Sequence, residues 1–366
     1  MQALQLFAGP TALRRIQRDG LKAEHFRMIV GASGGPKWFV LYGLDRYLFG
    51  DFLRDLPQPL TTLGSSAGAW RLACLGLHDP VAAIDRLAYH YSRQRYSDKP
   101  VMQEISREAR KLVDIVLGAD GAEQIVGNSK VNVHIVADRA RGLLASDRKS
   151  LLMGGLGLSA AANVISRRSL RLGFERVIFH SGELARGFNE LSDMPTRCVS
   201  LRHDNVREAL LASGSIPLIM EGVRNVPGAP RGIYRDGGIT DYHFDMPFLA
   251  GDDLVLYPHF HARLVPGWFD KALRWRQVNP ANYHNVLMLV PTPEFVRALP
   301  YGKIPDRKDF ETMDYDTRFA YWQRALAESE RLAEEFAALV ESGRGLERIR
   351  PFADMHRNLN NLHDRD

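Results

Sequence analysis

Three glycine-rich turns carry the residues of this chain whose types and spacing could do chemistry. The segment Gly64-Ser-Ser-Ala-Gly68 fits G-x-S-x-G, the form of a nucleophile elbow. Small neighbours let the backbone fold tightly around a serine at a strand-to-helix turn. The hydroxyl then stands at a helix N-terminus, where backbone N–H groups stabilise negative charge. Ser66 has the required flanking residues Gly64, Ala67 and Gly68, whereas Ser65 lacks the glycine spacing. Such a serine needs a base. The chain has 12 histidines, His243, His259, His261 and His284 among them, but none sits in a context resembling the loop of an α/β-hydrolase triad. Tyr234-Arg-Asp-Gly-Gly-Ile offers Asp236 instead, at a strand end with Gly237 and Gly238 supporting the turn. Alone, Asp-Gly-Gly is also a common turn. Paired with an elbow serine, it predicts a dyad in which Asp236 accepts the Ser66 proton directly. Burial would raise the basicity of that carboxylate, and strong oxyanion stabilisation would reduce how much proton transfer must contribute.

The remaining turn, Gly31-Ala-Ser-Gly-Gly-Pro-Lys-Trp38, could supply that stabilisation. Gly34 and Gly35 present N–H groups without a Cβ in the way, and they open a helix whose dipole favours an oxyanion. Pro36 cannot donate, which leaves Gly34, Gly35 and Lys37 as the oxyanion donors. A phosphate-binding loop is the competing reading. It fails because the chain lacks G-x-x-x-x-G-K-[ST], with Trp38 where Ser or Thr is needed.

Each turn needs an element on either side. A strand over residues 26–30 leads into the first turn, and Trp38, Leu41, Tyr42 and Leu48 continue it at helical spacing. Residues 60–63 form a second strand, and a helix follows the elbow through Leu72, Leu75 and Leu77. Strand, glycine turn and helix thus occur twice in about fifty residues, an α/β signal. Further strands are expected over residues 131–137, 176–180, 232–234, 254–257 and 286–290, and helices over 11–22 and 206–212. Residues 81–117 read as a charged helical cap, residues 151–164 as a packed helix and loop with an apolar lip near a lipid site as the alternative, and residues 318–340 as one long amphipathic helix, with a charged, frayed end beyond.

Taken together, the three turns resemble the patatin-like phospholipase family. Its order is a glycine-rich oxyanion loop with a basic residue, then G-x-S-x-G, then a distant Asp-Gly-Gly or Asp-Gly-Ala. Here the counterparts are Ser33-Gly-Gly-Pro-Lys37, Gly64-Ser-Ser-Ala-Gly68 and Asp236-Gly-Gly238, with Ala212-Ser-Gly-Ser-Ile-Pro217 as a fourth matching segment. The resemblance runs over residues 26–247. It departs at Ser33 and Trp38, where glycines are usual, and at Tyr242, where asparagine is common. The resemblance implies an α/β fold, a three-layer α/β/α sandwich around a mainly parallel sheet. It also implies acyl-ester hydrolysis through an acyl-serine, releasing fatty acid from a phospholipid or related lipid, with no metal or organic cofactor. An acyltransferase using the same elbow is the alternative. A catalytically silent lipid-binding protein is the alternative from another class.

The 366 residues are expected to form one catalytic domain over 1–310, with 311–366 as a helical extension packed on it. Two cysteines, Cys74 and Cys198, exclude a disulfide framework or a cysteine-rich zinc site. The formal charge of +5 is spread along the chain without a block of like sign, which argues against a nucleic-acid partner and permits transient contact with a membrane surface. Protein partners are not legible. The N-terminus does not read as a secretory signal, and no stretch approaches about 18 apolar residues. A cytoplasmic protein, peripheral at the membrane when it meets lipid, is the expectation.

Overall fold

The computed structural model describes residues 2–185, 187–249 and 251–355. Its strands are β1 (Leu4–Ala8), β2 (Phe26–Gly31), β3 (Leu60–Ser65), β4 (Val131–Ala140), β5 (Phe174–His180), β6 (Thr196–Ser200), β7 (Val223–Arg224), β8 (Ile233–Asp236), β9 (Leu254–Pro258), β10 (Val286–Pro291) and β11 (Arg350–Pro351). They form one mostly parallel sheet in the order β11-β1-β10-β9-β2-β3-β4-β5-β6, with β8 on β4 and β7 on β8. Helices flank the sheet, giving the α/β/α sandwich that the resemblance implied. Both faces are covered. Accordingly β3, β9 and β10 are buried at every position, and β9 and β10 read as near-continuous apolar runs.

One pairing pattern positions the chemistry. Strand β4 pairs in parallel with β3 as far as Ser65 opposite Val136. From Ala137 onward the same strand pairs with β8, antiparallel, with Ala137 opposite Asp236. The opposite edge of β4 is occupied by β5 over residues 134–140. So β3 and β8 lie end to end along one edge of β4. The elbow that leaves β3 and the turn that leaves β8 meet there, although 170 residues separate Ser66 from Asp236.

Three helical expectations are corrected. Residues 81–117 form two helices, Pro80–Ser92 and Met102–Leu117. Pro100 disfavours helical backbone at Lys99, and the chain is irregular there. Residues 151–164 belong to one helix, Lys149–Ile165, that is packed on one side only. The long terminal helix is two, Tyr315–Glu328 and Glu330–Ser342, divided at buried Ser329. The Ser329 hydroxyl donates to the Leu326 carbonyl (2.6 Å) and accepts the Gly43 N–H (2.8 Å), competing with the helix's own bonds.

Both terminal helices belong to the main core. Trp322 meets Phe39 edge-on at 5.2 Å, and Phe336 meets Phe52 at 5.2 Å. The frayed tail expected after Val340 lies largely outside the described residues, from 356 onward. Strands β1 and β11, unexpected from sequence, extend the sheet beyond β10.

Candidate active site

Ser66 occupies the turn between β3 and helix Ala67–Ala73 with φ 53° and ψ −129°. A left-handed φ on a non-glycine residue is strained, and such strain persists only where the surroundings hold it. Close packing does so here. A Cβ on Gly68 would lie 2.0 Å from the Gly31 carbonyl oxygen, and one on Gly64 would lie 2.6 Å from the Ala69 backbone. The Ser66 N–H donates to Ser213 Oγ (2.8 Å), whose hydroxyl donates to the Val136 carbonyl (2.6 Å). Ser213 lies in the fourth family-like segment, but its bond to the elbow was not legible in the sequence.

The Ser66 hydroxyl donates to Asp236 Oδ2 at 2.6 Å. Asp236 Oδ1 accepts the Gly238 N–H at 2.7 Å, and the Asp236 N–H donates to the Ser215 carbonyl at 2.9 Å. Both residues of the pair are buried. Burial pushes the Asp236 carboxyl up to about 6, against hydrogen bonds from Ser66 and Gly238 and the nearby Lys271 charge, which favour the anion. Close contact of Gly237 with the Val136 carbonyl, 2.1 Å from where a Cβ would sit, keeps this turn against β4.

Gly34 and Gly35 lie beside Ser66 in the same cavity. Gly35 has φ +55°, a conformation open to glycine. A Cβ on Gly34 would meet the Phe260 ring at 2.7 Å. Neither N–H is taken by an acceptor among the described residues. The third expected donor differs: the Lys37 N–H faces the Gly34 carbonyl, 3.4 Å away, closing the first helical turn. Lys37 contributes its ammonium instead, ion-paired with Asp306 at the rim. The Ala67 N–H, at the start of its helix, has no protein acceptor either and is a donor that sequence reasoning assigned only to the elbow.

The departures from the family pattern have structural roles. Ser33 Oγ and Ser65 Oγ are 2.7 Å apart, the Ser65 hydroxyl donates to the Asp241 carbonyl (2.6 Å), and the Ser33 N–H donates to the Tyr242 carbonyl (2.9 Å). These bonds lace the three turns together. Trp38 is buried in the core, anchoring the glycine loop from behind. The Tyr242 ring lines the cavity, stacked on His243, with the Lys271 ammonium 3.8 Å from its centre.

No histidine hydrogen-bonds to Ser66 or Asp236 among the described residues. His243 reaches the cavity wall, yet its Nδ1 accepts the Val265 N–H (2.9 Å) and burial holds the ring well below the usual imidazole range. Nor do three His, Cys, Asp or Glu side chains converge as a metal-holding group among the described residues.

Two cavities meet at Ser66, sharing Gly35, Ile216 and Arg307. The smaller, about 420 Å³, is cationic, with Lys37, Arg263, Lys271, Arg307 and Lys308 in its wall. The larger, about 830 Å³, is walled by Trp70, Tyr91, Ile105, Ile219, Met220 and Phe310 among others. It runs beneath the irregular stretch that divides Pro80–Ser92 from Met102–Leu117. Compared with known proteins, the chain matches no family model and no curated protein.

Proposed function

We propose that this protein is a serine acyl-ester hydrolase acting on a lipid ester, with Ser66 as nucleophile and Asp236 as its base. The 2.6 Å bond from the Ser66 hydroxyl to Asp236 carries the reading. In this scheme Ser66 Oγ attacks the ester carbonyl while its proton passes to Asp236 Oδ2. The free N–H groups of Gly34, Gly35 and Ala67 receive the charge that develops on the carbonyl oxygen. Collapse of the tetrahedral intermediate expels the alcohol, protonated by Asp236, and leaves an acyl-serine. Water, deprotonated by the same carboxylate, then releases the fatty acid.

The two cavities support a division of the substrate: acyl chain in the larger arm, an anionic alcohol portion in the cationic one. That no histidine bonds to Ser66 among the described residues favours hydrolysis by a dyad over the acyltransferase alternative. Fatty-acid release from mixed phospholipid vesicles and from a soluble short-chain ester tests the reading. Wild type is expected to release acid and Ser66→Ala to lose release by several orders of magnitude. Equal turnover by the two proteins would remove it. The cationic arm makes a separate prediction. Lys271→Gln is expected to raise KM about tenfold for a phosphate-bearing ester and to leave KM for a neutral ester unchanged. Steady-state kinetics on the two esters check this.

A further inference from the structure

Helix Lys149–Ile165 exposes an unusual amount of apolar side chain. Leu158 is 67% exposed, Ile165 89% and, just beyond the helix, Leu172 79%. Leu151, Leu158 and Ile165 recur every seven residues and so share one stripe along the helix. Its packed side, with Leu152 and Leu156, belongs to a small apolar cluster separate from the main core. Trp275, 67% exposed, stands nearby: Arg276 donates to the Asn163 carbonyl (2.7 Å), and Asn163 to Asp270 Oδ1 (2.7 Å).

The charges carried by this stretch of sequence have one sign. Residues 148–174 contain no Asp or Glu, but they include Arg148, Lys149, Arg167, Arg168 and Arg171. Arg167 is engaged with the Thr240 carbonyl and Asp270. Arg148, Lys149, Arg168, Arg171 and, beside Trp275, Arg274 are in no ion pair with a described residue. The face also adjoins the site. Ile239 belongs to the cluster beneath the helix and lines the cavity that holds Ser66, and partly exposed Trp268 lines it as well. An apolar stripe with tryptophan at its edge and unpaired cations at both ends has the chemistry of a surface that lies in the headgroup layer of an anionic bilayer.

We infer that helix Lys149–Ile165, with Leu172 and Trp275, docks on an anionic membrane and presents the mouth of the Ser66 cavity to it. The inference rests on the lipid-ester reading for its purpose, but binding is measured apart from turnover. The experiment is co-sedimentation of full-length protein with vesicles of phosphatidylcholine containing about 30% phosphatidylserine. Ser66→Ala serves as the background, so that lipid is not consumed. Binding is expected, weakened at about 0.5 M salt. Arg168→Gln/Arg171→Gln/Arg274→Gln is expected to lower partitioning about 100-fold, each near-surface cation being worth a factor of about five. Leu158→Glu/Ile165→Glu is expected to abolish it. In the wild-type background both sets should leave soluble-ester turnover unchanged, which reports that the fold is intact. Vesicle binding by these variants equal to that of Ser66→Ala alone would overturn the inference, as would no binding at all. So would a dimer in sedimentation velocity that Leu158→Glu/Ile165→Glu dissociates, because a second copy would then cover the face. Vesicle binding without Ser66-dependent hydrolysis of any ester would sink the hydrolase reading and leave the docking surface standing.

Discussion

Asp236→Asn is expected to reduce ester hydrolysis by several orders of magnitude and, above about pH 6, to make the protein more stable than wild type. The loss follows from removing the only carboxylate bonded to Ser66 Oγ among the described residues. The gain follows from the cost of burying that carboxylate as an anion. Its pKa stands at about 6 in the fold, raised from 3.8. The unfolded chain therefore releases this proton first as pH rises, and wild-type stability falls between about pH 4 and pH 6. The rise from 3.8 to about 6 corresponds to roughly 3 kcal/mol. Asparagine carries no charge, donates to Ser66 Oγ with its amide and accepts from Gly238 with its oxygen. The difference between the proteins should thus reach up to about 3 kcal/mol above pH 6 and vanish below about pH 4. Denaturant unfolding across that range measures it. A variant that is less stable than wild type at pH 7 would show that Asp236 is held by its hydrogen bonds more strongly than burial opposes it.

Arg176→Met is expected to cost about 3–5 kcal/mol and to carry activity away with the fold. Arg176, on β5, is fully buried and holds Asp241 with two bonds, Nε to Oδ2 at 2.6 Å and Nη2 to Oδ1 at 2.9 Å. It also holds Asp193 with two more, at 2.9 and 2.7 Å. Asp241 ends the turn that begins at Asp236, and its carbonyl receives the Ser65 hydroxyl. Removing the guanidinium leaves a carboxylate in the core without its partner, the costly way to break such a pair. The double variant Arg176→Met/Asp241→Asn should recover most of the loss, because the buried charge goes too. Urea midpoints of the three proteins read both effects. Equal midpoints for the single and double variants would mean that packing, rather than the charge on Asp241, sets the cost.

The contrast between these residues explains what the sequence disclosed. Ser66 and Gly34 were legible because a strand, a glycine turn and a helix leave a local pattern of spacing and residue type. The likeness of residues 26–247 to one family's motif order brought Asp236 into the same picture. Arg176, Ser213 and Asp241 were not legible. Each acts through a partner set by which strands pair along β4, and an isolated arginine or serine has no local signature of that. The break at Ser329 was hidden for a related reason. The apolar period runs through it, with Leu326, Leu332 and Phe336 all buried, while the Gly43 N–H that engages its hydroxyl comes from a helix 286 residues away in sequence. Strand β1 was missed because its five mostly apolar residues are followed by Gly9-Pro10 alone, without the run of glycines and small residues that marked β2 and β3.

Direct activation of Ser66 by Asp236 is tested most closely by covalent labelling with a serine-directed phosphonate, followed by peptide mass spectrometry as a function of pH. Labelling is expected at Ser66 alone, at a rate that rises through about pH 6 as Asp236 ionises and then levels off, and it should be almost absent in Asp236→Asn. Labelling of Ser66 at wild-type rates in Asp236→Asn, or labelling at a different residue, would contradict the dyad.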